Sequence, residues 1–341
     1  MKIISKALIC AIAISTFSTT AWAGKNPKKI TVAFYNIENL FDTEDDPTID
    51  DEEFLPTGKN KWDADRYQHK LDNMAKVIDK LGDEDGPEIL GVCEVENKKV
   101  MQDLIATETL KGKNYDIVHV NSPDARGIDV GFFYKKDVFT YVSHAALRVS
   151  FDDEPDFKTR DILMVKGLLK EDTVFFFVNH WPSRRGGERS IAKRKGAAQK
   201  ARSIIDSVLA KNPNAKMLLM GDFNDEPADV SVSETLNAST DADNLKDKQL
   251  FNAMGELKKA GKGSHQHSKE WNMLDQIIVT QGFLKGKGKG MKIIKESASI
   301  YDAEFLKERN EKYKGAPYRT FAGAKYLGGY SDHFPVYIHL K

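Results

Sequence analysis

Residues 216–227 read KMLLMGDFNDEP. An apolar run over 217–220 stops at Gly221 and gives way to Asp222, Phe223, Asn224, Asp225 and Glu226. A short run with no polar alternation is the mark of a strand covered on both faces, as in a sheet held between other layers. Side chains alternate between the faces of a strand. Asp222 and Asn224 are therefore expected on one face and Phe223 on the other. Taken alone, the polar end is an Asx turn closing a strand.

The pattern recurs along the chain. VAFYNIENLFD carries Asn36 and Glu38 at its end, again one residue apart, and EILGVCEVEN carries Glu94 and Glu96. RGIDVGFFY opens on Asp129, FFFVNHWPSRRGG closes on Asn179 and His180, MLDQIIVT opens on Asp275, and GGYSDHFPVYI opens on Asp332 and His333. Strands are expected over 30–35, 88–93, 115–120, 129–134, 173–178, 216–220, 276–280 and 336–340. Tyr67, Leu71, Met74, Ile78 and Leu81 form a helical stripe, and Gly82 supplies its stop. Ala197, Ala201, Ile204, Ile205 and Val208 form another in a helix over 190–210. Strands with interspersed helices and no break in composition predict an α/β (α+β) chain with one domain over 24–341.

Hydrophobic content of 40% and charged content of 30% suit a globular chain, and the formal net charge of zero supplies no global field for a polyanion. Lys2 and Lys6, an apolar core over 7–14 too short to span a bilayer, and Ala21-Trp22-Ala23 read as an export signal cleaved before Gly24. The expected location is periplasmic or extracellular, with no stable membrane insertion. Cys93 is the one cysteine after 1–23. It lies in an apolar run and is read as a buried thiol, so no disulfide-linked partner is expected, and a monomer is.

Six or seven polar ends joined to apolar strands make a site if they converge. Carboxylates with Asn oxygens suit a hard cation, Mg²⁺ first, with Mn²⁺ or Ca²⁺ as alternatives. No His or Cys spacing indicates structural zinc. Two histidines beside acids suit proton transfer near neutral pH.

These blocks resemble, in order and over nearly all of 24–341, the endonuclease/exonuclease/phosphatase superfamily. The GDFND and SDHFPV pair carries the resemblance, and NHWPSRRGG and CEVEN are similar to forms found in a bacterial group described as secreted nucleases. The resemblance implies a four-layer αββα sandwich, two mixed β-sheets packed face to face with helices outside, and metal-dependent cleavage of phosphate esters. It implies Glu94 as principal Mg²⁺ ligand, with Asn36 near metal and phosphate and Asp332 assisting through water. Glu96 is offset from the motif. Asp222 and Asn224 would orient water and phosphate, His333 would be catalytic with Asp275 holding its ring, and His180 would be a second histidine with Asp129 as carboxylate partner. Arg160 would contact phosphate. Either Asp222 or the Asp275–His333 pair activates water, and His180 either bonds a non-bridging oxygen or protonates the leaving group.

Substrate class is read from charge. Arg184, Arg185, Arg189, Lys193, Arg194 and Lys195 follow His180 and predict a polyanion contact; the alternative is a solvated helix face. Tyr318, Arg319 and Phe321 suit base stacking or core packing. A secreted nuclease acting on DNA or RNA leads; a phosphatase or phospholipase (inositol phosphate or sphingomyelinase type) and a catalytically silent binding protein are the alternatives. His119, His144 and His339 are expected at core edges or on the surface. His265 and His267 are expected in a polar loop, with a metal pair as the alternative; the acid-rich stretch 42–63 is expected to be a solvated loop, with a rim element near the active site as the alternative. Residues 282–290 are expected to form a basic turn.

Overall fold

The computed structural model describes residues 29–82, 85–284 and 290–341. The expected leader over 1–23 and the centre of the basic turn, 285–289, lie outside the described residues.

Two mixed sheets form the body. The first runs Ser299–Ile300, Val336–Leu340, Ile30–Leu40, Ile89–Val95, Asp129–Lys135 and Tyr115–His119 in spatial order. The second runs Phe139–Leu147, Ile162–Leu169, Asp172–His180, Lys216–Asp222, Asp275–Val279, Leu250–Asn252 and Ala238–Ser239. Each has a central parallel pair flanked by antiparallel neighbours.

Strand alternation builds four layers. Val32 and Phe34 of the first sheet meet Leu218 and Met220 of the second in a central core. Ala33 and Tyr35 turn outward beneath helices α1 (Ala64–Lys80) and α2 (Lys98–Ala106). Met217 and Leu219 turn the other way, against α3 (Glu188–Lys211). The sequence expectation of helices outside two facing sheets is met. The central core is aromatic: the Phe176 ring lies 5.3 Å from Phe132 and 5.7 Å from Phe139, all buried. Truncating Phe176 to alanine would cost about 3–5 kcal/mol through lost transfer energy and the cavity left behind.

Local signals explain the helix starts. The Asp63 side chain accepts from Arg66 N, and that of Asn97 from Val100 N, satisfying amides that no helical carbonyl reaches. Two strands of the second sheet lie outside the expected set. Phe139–Leu147 is an exposed edge, and Ile162–Leu169 is interrupted by Lys166 and Gly167.

The stretch 42–63 is a largely exposed loop, as expected, pinned to the body by a few aromatic side chains. Phe41 stacks on Phe54 at 4.2 Å, and buried Trp62 donates its indole N–H to the Phe41 carbonyl at 3.0 Å. Phe321 packs on Trp62 at 5.8 Å. Its half-buried ring belongs to this aromatic cluster, the packing alternative of the two expected for it.

Candidate active site

Register brings the first three groups together. In the second sheet His180 is the direct partner of Asp222 across the parallel pair, and Asp222 is the direct partner of Asp275 across the antiparallel pair. Three neighbouring strands thus end in one row, about 4.8 Å from strand to strand. The first sheet brings Asn36 and Glu94 to the same end. Asn36 Nδ2 donates to Asp222 Oδ2 at 3.2 Å and to Glu94 Oε1 at 3.4 Å, bridging the sheets.

Asp222 is the hub. Its Oδ1 accepts from the Asn224 amide at 2.9 Å. Its Oδ2 faces Asn36, His180 Nε2 at 3.7 Å and His333 Nε2 at 3.9 Å. Burial raises its carboxyl to about 7, further pushed by Asp275 and opposed by His333. His333 arrives from the loop before Val336–Leu340. Ser331 Oγ fastens that loop by donating to the Asn36 carbonyl at 2.6 Å, and His333 N donates to Ser331 Oγ at 3.1 Å. His333 Nδ1 lies 2.6 Å from Asp275 Oδ2. Burial disfavours the imidazolium, but the attraction of Asp275, with help from Asp222 and Asp332, holds the His333 pKa well above its ordinary value.

His180 is the opposite case. Burial first, then Arg160, press its pKa well below the ordinary value, so the ring is neutral. Its Nδ1 is buried with no hydrogen-bond partner.

Three strand ends break the two-residue alternation, and this corrects the expected pairing of side chains. Glu38, Asn39, Glu94 and Asn224 all have positive φ, at 48°, 53°, 64° and 50°. Such backbone costs about 1–3 kcal/mol for a non-glycine residue and collects at functional sites. Glu94 is the extra residue of a bulge between Cys93 and Val95, so it turns to the site. Glu96, offset from the motif as expected, turns away, is buried and accepts from the Asp42 amide at 2.7 Å. Glu38 does not share a face with Asn36. It accepts from Thr320 N at 2.7 Å and faces Arg319 at 3.5 Å. Asn224 does not continue the Asp222 face as a strand would: its Nδ2 donates to the Trp181 carbonyl at 3.0 Å. Phe223 does point away, edge-on to Trp181 at 4.6 Å.

A hard divalent ion suits the oxygen donors at this end of the sheets. Among the described residues Glu94 accepts from Asn36 and, at 3.1 Å, from Asn39 N. Among the described residues no lysine or arginine is ion-paired with Glu94; His180 Nε2 is 3.9 Å away. Two acids, Glu94 and Asp222, thus lie on the two sides of the Asn36 carboxamide.

A family model described as Endonuclease/Exonuclease/phosphatase family matches residues 31–341, almost all of the described chain. The chain belongs to that family. As a member it is a hydrolase acting on phosphate esters, within a family of divalent-metal-dependent enzymes. Among curated proteins no sequence relative matches it. Solved structures share the fold. D. rerio TDP2, complexed with single strand DNA product, is 12% identical at a TM-score of 0.54 and covers 92% of this chain and 100% of its own. The mannosyl-6-phosphatase of Bacteroides thetaiotaomicron is 16% identical at 0.55, covering 92% and 99%. The human Nocturnin catalytic domain with bound sulfate anion is 16% identical at 0.53, covering 92% and 94%.

Several residues that the family resemblance singled out sit elsewhere than expected. Asp129 does not partner His180. Its Oδ2 lies 3.0 Å from His119 Nε2, and its Oδ1 accepts from Ser122 N at 2.7 Å. His119 and Asp129 lie on paired strands of the first sheet, whereas His180 is on the second. Arg160 does not present a free guanidinium. It is buried, pairs with Asp124 at 2.9 Å, and donates to the carbonyls of His180 at 3.2 Å and Trp181 at 2.7 Å. It fixes the backbone that carries His180. Asp332 Oδ2 is held by Arg319 Nη2 at 2.7 Å.

The basic segment divides. Arg194 is buried, with Nε 2.7 Å from Asp225, and belongs to the core. Lys193 pairs with Glu154 at 2.9 Å and sits 3.4 Å from the Phe157 ring centroid. Arg184 donates to the Asn224 carbonyl at 2.8 Å and pairs with Asp229 at 2.7 Å, closing the turn after Asp222. Arg185 and Arg189 are exposed.

Two residues the strand-end pattern does not reveal complete the site. Ser264 is fully buried; its Oγ donates to Asp275 Oδ2 and accepts from Asp275 N at 3.1 Å. Arg319 holds Asp332 and faces Glu38. Ser264 is 11 residues from Asp275, a separation with no local periodicity. Arg319 lies beside the SDH motif, where its basic charge was the available signal.

Proposed function

We propose that this chain is an exported Mg²⁺-dependent phosphodiesterase whose substrate is a nucleic acid. The observation that carries the reading is the Asp222 carboxylate enclosed by Asn36, neutral His180 and charged His333, with Glu94 beside it. Glu94, assisted by Asn36, would hold the ion, which when bound supplies Lewis-acid stabilisation of phosphoryl charge. Asp222, with its pKa near 7, is suited to take the proton of an attacking water while the Asn224 backbone amide holds its other oxygen. His333 offers a charged Nε2–H to a phosphoryl or leaving oxygen, and Asp275 keeps that proton in place. His180 presents an uncharged Nε2 to the same space, which suits a hydrogen bond to a non-bridging oxygen. Asn224 closes the turn that sets Asp222, so its part is positioning.

Exposed Arg185 and Arg189, on the segment leaving His180, favour a polyanion that extends past the cut. Export with cleavage before Gly24, a single domain over 24–341 and a monomeric state belong to the same proposal. The test is a panel of plasmid, single-stranded RNA, a small aryl phosphodiester and a sugar phosphate, each with and without chelator. Cleavage of polynucleotide and diester, lost with chelator and restored by Mg²⁺, is the expected result. Preference for the sugar phosphate would replace this reading with a phosphomonoesterase.

A further inference from the structure

Beside the oxygen-rich end lies a group of different chemistry. The hairpin strand His265–His267 runs against the SDH loop, and His265 forms a backbone bridge with His333. The two imidazoles are 4.7 Å apart between centroids and inclined by 38°. Candidate ligand atoms of His265, Asp332 and His333 all lie within 4.8 Å of one another. His265 Nδ1 is buried and has no hydrogen-bond partner among the described residues. The polar-loop expectation for His265 is thereby corrected, while His267, two residues on, is exposed.

Each of the three has a donor atom to spare. Asp275 holds His333 Nδ1 at 2.6 Å, which leaves Nε2 to face outward. A carboxylate on the far nitrogen is the arrangement that orients histidine ligands in metal sites. Arg319 occupies Asp332 Oδ2 at 2.7 Å, and Oδ1 lies 4.0 Å from His333 Nε2. The Arg319 charge is met on its other side by Glu38 at 3.5 Å.

We propose that His265, Asp332 and His333 form a binding site for a borderline transition-metal ion of the Zn²⁺ class, and that its occupancy switches hydrolysis off. Two imidazoles and one carboxylate select such ions over Mg²⁺, which prefers oxygen. Zinc–nitrogen bonds of about 2.1 Å would draw the farthest pair of ligand atoms together by on the order of 1 Å. Binding releases the Nε2 proton of His333 to solvent, and that nitrogen then serves the ion and is withdrawn from the phosphoryl group. This last clause rests on the role given to His333 above; metal binding itself does not.

The protein is titrated with Co²⁺ and then Zn²⁺, in excess Mg²⁺ and without substrate. One equivalent of Co²⁺ is expected to give visible absorption, to move the imidazole resonances of both His265 and His333, and to be displaced by Zn²⁺. His265→Phe keeps a ring against His333 but removes the donor, and is expected to weaken Zn²⁺ binding about tenfold or more. Unchanged affinity in that variant, or displacement of Zn²⁺ by Mg²⁺ together with its loss on Glu94→Gln, would overturn the site. If the variant does not fold, the wild-type spectra decide: a His265 resonance unmoved by Zn²⁺ rejects the proposal. Hydrolysis of a small diester at saturating Mg²⁺ is expected to fall as Zn²⁺ fills the site. Full turnover with zinc bound would overturn the switch and leave the diesterase reading intact.

Discussion

His180 and His333 stand on two sides of the same Asp222 oxygen, at 3.7 and 3.9 Å, yet their surroundings drive them apart. His333 has a carboxylate on its far nitrogen and is held charged. His180 has an unpartnered Nδ1 and a buried arginine behind it, and is held neutral. Both rings are buried, so burial alone does not decide protonation. The difference lies in which charge stands behind the ring. Two elements from different sheets thereby bring a charged and an uncharged imidazole to the same Asp222 oxygen.

The hub both rings share gives the largest expected effect. Asp222→Asn should lower kcat about 10³-fold with the fold intact. A variant with near-normal turnover would remove Asp222 as the base. In the wild type, the rate should rise as pH passes through about 7, because Asp222 must lose its proton, and fall again on the alkaline side as His333 loses its own.

Asp275→Asn attacks the charged member of the comparison. It should cost about 10²-fold in rate. The sign of the pH change is fixed: Asp275 raises both His333 and Asp222, so its loss moves the whole bell toward acid. A bell that stays in place would show that Asp275 does not set the His333 charge.

Smaller effects test the surroundings. Arg185→Ala should leave small-diester hydrolysis unchanged and reduce the salt dependence of polynucleotide binding by about one unit of slope. Equal loss on short and long substrates would place Arg185 at the reacting centre. Asp129→Asn should change the rate and its pH profile least, since its partner is His119. A shift of the profile in that variant would restore Asp129 to His180.

Much of the site was legible because apolar strands ending in acids and histidines carry their own pattern. Asn36, Glu94, His180, Asp222, Asp275 and His333 converge as that pattern predicts. Arg160 and Arg194 were misleading for one reason: a guanidinium looks alike in sequence whether it faces phosphate or a buried carboxylate. Asp124 and Asp225, the partners that settle this, lie 36 and 31 positions away along the chain.

Sequence by itself determined the layers, since strands apolar on both faces must be covered on both faces. It also determined which strands end in chemistry. Tertiary structure alone decided which of two nearby acids enters the site. The left-handed residues Glu38, Asn39, Glu94 and Asn224 interrupt alternation at the strand ends, and no period-two rule survives such a residue. It alone set the charge on each histidine, because an imidazole responds to whatever long-range packing places within a few ångströms of it. And it alone brought His265 against His333 from 68 positions away, where a polar hairpin had no periodic reason to be near an SDH loop.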